Sequence, residues 1–78
     1  MITTQTAIAL AHDYITIHVS YGRVPTYKDF NLQVAYFLKT EEGLCDEEIR
    51  NIKPSLDIVT ILAWKEARKR IVTISKFL

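Results

Sequence analysis

The strong helix breakers in this chain are two glycines and two prolines, and their placement limits the architecture more than any other feature. Gly22 and Pro25 lie close together, Gly43 stands alone, and Pro54 comes last. Glycine readily adopts the left-handed backbone that closes a helix, and proline removes a backbone N–H. Beyond Pro54 neither residue occurs again. The expected architecture is a few uninterrupted helices joined by short turns, the last running from 55 to 78.

Periodicity fills in the segments between breakers. Over residues 4–21, Ala7, Leu10, Ala11, Tyr14, Ile15, Ile17, His18 and Tyr21 share one broad face at about 100° per residue. The end of the same segment also alternates, with Ile15, Ile17, Val19 and Tyr21 set against Thr16, His18 and Ser20, which is a strand pattern. The helix accounts for the whole stretch and the strand only for its end. Thr26 can cap a second helix, with Asp29 three residues on as a short capping box. Tyr27, Phe30, Val34, Phe37 and Leu38 then form one stripe, and Leu32 and Tyr36 fall nearly opposite. Gly43 is the natural stop. A short third helix over 46–52 begins with Asp46, Glu47 and Glu48, which suit the positive end of a helix dipole. Pro54 should end it, and Ser55 should cap the last helix.

The expected fold is all-α, a compact bundle of about four helices with a long C-terminal helix. The alternative is an α+β domain with strands near 15–21 and 71–77. The expected core is Leu10, Tyr14, Phe30, Val34, Leu38, Ile52, Leu62 and Trp64. A last helix from 55 to 78 would be about 36 Å long, more than a domain of this size can cover. Its residues Ile58, Ile61 and Leu62 would pack inward, while Trp64, Ala67, Ile71, Ile74 and Leu78 form a second face. That face has the spacing of a coiled-coil seam and points to a homodimer.

Seventy-eight residues form one domain, and an apolar fraction of 49% with 24% charged residues is globular rather than disordered. Cys45 is the lone cysteine, which excludes an internal disulfide. With only His12 and His18 beside it and no ligand spacing, no metal or other cofactor is expected. Residues 1–5 lack a signal-peptide pattern, and no run approaches the ~20 apolar residues of a membrane span. These features point to the cytoplasm of a bacterium or of an infected host cell, with no membrane partner.

Catalytic motifs are missing. The chain contains no phosphate-binding glycine loop, no Gly-x-Ser-x-Gly and no His-Glu-x-x-His. Cys45 precedes Asp46, Glu47 and Glu48, an acidic setting for a nucleophile. His18 lies on the apolar face and reads as a packing residue.

Charge is unevenly laid out despite a net value of +1. Acids gather at Glu41, Glu42, Asp46, Glu47 and Glu48. Bases gather at Lys65, Arg68, Lys69, Arg70 and Lys76, with Glu66 among them. Runs of this kind are usually solvated faces. As a functional surface, Lys65, Arg68, Lys69 and Lys76 lie on one side of the last helix and could contact phosphates.

One local motif resembles a known family. Tyr21-Gly22-Arg23-Val24-Pro25-Thr26-Tyr27-Lys28-Asp29-Phe30, followed by Val34-Ala35, is similar to the start of a LexA-type winged-helix domain, over residues 7–35. The resemblance implies a helix-turn-helix, a wing and DNA binding. The chain departs from that pattern where DNA would be read. Ala35 stands where the family has glycine, and the segment 45–52 in the recognition-helix position carries three acids and one arginine.

Two functions follow as expectations. The first is a non-catalytic adaptor or inhibitor that binds a larger protein, through the unpartnered apolar residues Leu32, Tyr36, Trp64, Ile71, Ile74 and Leu78. The second is a DNA-binding regulator with a degenerate winged helix, acting through the basic group.

Overall fold

The structure, a computed structural model, describes the backbone of residues 2–77 and the side chains of residues 2–71. It consists of α1 (Thr4–Ser20), α2 (Tyr27–Glu41) and α3 (Asp46–Phe77). There is no strand among the described residues, so the segments 15–21 and 71–77 are not paired strands. The all-α class holds, with three helices instead of about four.

Local chemistry sets the ends of these helices. Thr3 caps α1 by accepting the Thr6 N–H at 3.1 Å. Thr26 caps α2 by accepting the Asp29 N–H at 3.2 Å, as its position in the sequence implied. At the end of α1, Arg23 N–H reaches His18 O at 2.8 Å and Gly22 N–H reaches Val19 O at 3.0 Å. That pair of bonds is a Schellman closure, and Gly22 supplies the left-handed residue it requires, at φ 72°. Gly43 plays the same part after α2, at φ 71°. Cys45, rather than Ser55, opens the last helix. Its N–H donates to Glu48 Oε1 at 3.2 Å and its carbonyl accepts Ile49 N–H at 3.0 Å.

Pro54 does not end a helix here. It lies inside the 32 residues of α3, and the expected helices at 46–52 and 55–78 are one. A proline inside a helix leaves the carbonyl four residues earlier without its usual donor. That carbonyl belongs to Arg50, and Arg50, Lys53, Pro54 and Ser55 are all exposed, so water can satisfy it. Ile49 and Leu56, on the opposite side, are buried and hold the helix to the core.

α2 runs antiparallel to both neighbours. His18 lies near Asp29 and Tyr14 near Phe30 across one pair, while Tyr27 lies near Thr60 and Lys39 near Asp46 across the other. α1 packs chiefly on α3. Ala7 and Ala11 on α1 and Ala63 and Ala67 on α3 are completely buried, and such small side chains allow helices to approach closely. Above them sits an aromatic cluster. Phe30 stacks on Trp64 with centroids 5.5 Å apart, and Tyr14 packs on both at 5.8 and 5.9 Å.

Tyr14, Phe30, Val34 and Leu38 are buried as expected, and Leu10, Ile52 and Trp64 are half-buried against the core. Leu62 is not in the core; it is 56% exposed. The inward face of α3 is instead Leu56, Thr60, Ala63 and Ala67, so Trp64 and Ile71 lie beside the core and Ile58, Ile61 and Leu62 face solvent.

Thr60 is buried yet satisfied. It donates to Asp57 O at 3.1 Å and lies 2.9 Å from Tyr27 Oη and 3.0 Å from Asn31 Nδ2. Asn31 also donates to Asp57 Oδ1 at 3.1 Å, and Lys53 Nζ donates to the same oxygen at 2.9 Å. This network fastens α2 to α3.

Phe30→Ala should cost about 3–5 kcal/mol, enough to unfold much of so small a domain. Leu62→Ser should shift stability by no more than about 0.5 kcal/mol, because its side chain is already in water. Thermal denaturation of the two variants reads both; a large loss at Leu62 would contradict the orientation of α3.

The network also predicts acid sensitivity. The Lys53 ammonium, aided by Asn31, holds the Asp57 carboxyl below its ordinary value against the opposing effect of burial. A carboxylate depressed in the folded state adds stability above its unfolded value, near pH 4, and loses it as pH falls. Asp46 and Glu48 are depressed likewise, by Lys39 and by the Cys45 hydrogen bond. Asp57→Asn should therefore lower the urea midpoint more at pH 7 than at pH 3. An equal loss at both values would show that charge is not what Asp57 contributes.

Candidate docking surfaces

Two surfaces of the described residues expose large apolar side chains. The chain has 5515 Å² of accessible surface for 9.0 kDa, against about 4,900 Å² for a typical monomer of that mass. Its radius of gyration is 13.0 Å, against about 11.5 Å for a compact domain of this length. The long axis is 43 Å, with the other two at 22 and 18 Å. Much of the excess follows from α3, which is twice the length of either partner helix.

The first surface is a groove of about 460 Å³ between α1 and α2. These two helices meet only lightly, and a wedge opens between them. Leu10 and Ile17 of α1 face Tyr36 and Phe37 of α2 across it, with Phe30 and Val34 in the floor. Asp13 and Glu41 stand in the lining, exposed and without an ion pair among the described residues. Tyr36 is 65% exposed.

A polar cluster closes one end of this groove. Tyr14 Oη donates to Asp29 Oδ2 at 2.6 Å, and His18 Nε2 lies 3.6 Å from the same oxygen. His18 Nδ1 lies 3.0 Å from Tyr14 O, and the two rings are 4.0 Å apart. Burial, followed by the hydrogen bond to Asp29, raises the Tyr14 phenol above its ordinary value and keeps it a donor. The arrangement ties the end of α1 to the start of α2.

The second surface is a ridge on α3. Ile58, Ile61, Leu62, Lys65 and Arg68 fall within about 120° of the helix circumference, on the side away from the core. Ile58 is 63% exposed and Ile61 40%. Leu32, 60% exposed on α2, approaches this ridge across a shallow depression of about 380 Å³ that it shares with Ile61, Lys28 and Lys53.

The residues singled out in the sequence are thus divided. Leu32 and Tyr36 are exposed, on either side of the outer edge of α2. Trp64 and Ile71 pack on the core and offer little to a partner. The side chains of Ile74, Lys76 and Leu78 lie outside the described residues. Lys65, Arg68 and Lys69 are exposed, while Arg70 pairs with Glu66 at 3.1 Å. Leu10, Ile17 and Phe37 do not announce a groove in the sequence. The signal was the width of the apolar face on α1, which is too broad for one partner helix.

Among the described residues no cluster of His, Cys, Asp and Glu could hold a metal ion, and no helix is long and apolar enough to cross a membrane. The fold departs from the winged-helix expectation: α2 continues past Ala35 to Glu41, and no strand forms a wing among the described residues. Comparison with protein-family models, with curated proteins and with solved structures gives no match to this chain.

Proposed function

We propose that this chain is a non-catalytic interaction module that binds another protein through the groove between α1 and α2. The observation carrying this reading is the groove itself, an apolar trough lined by Leu10, Ile17, Tyr36 and Phe37 with charged residues at its margins. A stripe of side chains from a partner helix fits such a trough, as in other helix-in-groove contacts. Tyrosine is favoured at such contacts because it offers a large apolar body and a polar tip.

Affinity capture with the wild type and with Ile17→Glu/Tyr36→Glu, matched for helicity, tests the reading. The wild type should retain a protein that the variant loses, with affinity reduced at least tenfold. Equal retention by both would remove the groove from the interface.

A second reading rests on the exposed Lys65, Arg68 and Lys69, which present positive charge on successive turns of α3. Here the module binds DNA through phosphates, with adaptor binding secondary. Fluorescence anisotropy with random duplex DNA should then show affinity falling steeply between ~50 and ~200 mM salt. No measurable binding at ~50 mM salt would end this reading.

A further inference from the structure

We infer that the occupant of the groove is the α3 ridge of a second copy of this chain, so that copies join head to tail. This rests on the groove being a protein-docking site and names its partner. Both halves of the contact are present on one molecule, and their charges are opposite. The groove is apolar with Asp13 and Glu41 in its lining. The ridge is apolar at Ile58, Ile61 and Leu62, then basic at Lys65 and Arg68. Neither Asp13 and Glu41 nor Lys65 and Arg68 form an ion pair among the described residues, so all four charges remain available to a partner.

Spacing agrees with charge. Asp13 precedes Ile17 by four residues and Lys65 follows Ile61 by four, each a step of about 6 Å along its helix. Placing Ile61 against Ile17 therefore brings Lys65 one turn away, level with Asp13 and nearer to Tyr36, when the incoming helix runs opposite to α1. Arg68 then lies further along, toward the end of the groove where Glu41 stands beside Leu10. An acidic trough would repel a second acidic trough, and a basic ridge a second basic ridge. The favoured contact is between unlike surfaces. Such a heterologous contact leaves one groove and one ridge unused at the ends, and it continues into chains unless the rotation closes a ring.

The test uses two full-length variants, each blocked on one surface: Ile61→Asp/Leu62→Asp on the ridge and Ile17→Asp/Tyr36→Asp in the groove. All four residues are exposed, so both should keep wild-type helicity by circular dichroism. By sedimentation velocity, wild-type mass should rise with concentration beyond that of a dimer. Each variant alone should be monomeric. Mixed one to one, they should form a dimer and nothing larger, because only one intact groove and one intact ridge remain. The charge-reversed pair Asp13→Lys/Glu41→Lys and Lys65→Glu/Arg68→Glu provides a version that leaves the apolar residues in place. Each alone should weaken self-association at least tenfold, and mixing the two one to one should restore it, since the basic groove of one then meets the acidic ridge of the other and the acidic groove meets the basic ridge.

A wild type that stays monomeric at all concentrations overturns the inference, including one that instead binds anionic lipid vesicles through α3. So does a variant that still forms a dimer with itself, or a pair of folded monomeric variants that fail to combine. A monomeric wild type that captures a different protein through Ile17 and Tyr36 would overturn self-assembly while leaving the groove's role intact.

Discussion

Pro54 removes one hydrogen bond from the longest helix, and the side on which it does so governs the rest of the molecule. Were Arg50 in the core, the lost bond would carry the full cost of an unsatisfied polar group, on the order of 1–3 kcal/mol. Facing water, it leaves α3 continuous from Asp46 to Phe77. Continuity lets one helix serve two partners. Its first half meets α2 through Lys39, Asn31 and Tyr27, and its second half meets α1 beside Trp64 and Ala67. A helix of 15 or 17 residues cannot cover one of 32, so the excess length of α3 becomes exposed surface.

The close approach of α1 and α3 decides which residues that surface contains. Buried alanines at 7, 11, 63 and 67 leave no room for larger side chains between these helices. Bulky residues are therefore turned to the flanks. Trp64 turns toward Phe30 and Tyr14, where it completes an aromatic cluster, and Ile58, Ile61 and Leu62 turn away from the core altogether. The same packing draws α1 toward α3 rather than toward α2, which is why the α1–α2 seam opens as a groove.

These relations explain what the sequence disclosed and what it hid. Thr26, Gly22 and Gly43 act through bonds to residues three to six positions away, so their effects could be read locally. The two-sided pattern of α2 was legible for the same reason, and Leu32 and Tyr36 are exposed as it implied. The orientation of α3 was not. Judged by side-chain size, Leu62 belongs inside, but Leu56, Thr60, Ala63 and Ala67 form the inward stripe because closeness mattered more than bulk. Thr60 in particular looks polar in sequence; besides the local carbonyl of Asp57, its burial rests on Tyr27 and Asn31, roughly thirty residues away. Pro54 reads as a stop in sequence, but its effect depends on which side faces water, and that is settled by the packing of Ile49 and Leu56.

Charge and shape point the same way once the helices are in place. The acids at 41, 42 and 46–48 gather where α2 ends and α3 begins, and part of that charge is consumed internally by the Lys39–Asp46 pair at 2.9 Å. Glu48 is likewise occupied by the Cys45 N–H. Glu41 is not, and with Asp13 it gives the groove its sign. At the far part of α3, Glu66 takes up Arg70, which leaves Lys65 and Arg68 to give the ridge the opposite sign. The near-neutral total thus hides two separated patches of opposite sign. Since screened charges act over about 8 Å at physiological ionic strength, each surface presents its own sign to whatever approaches it.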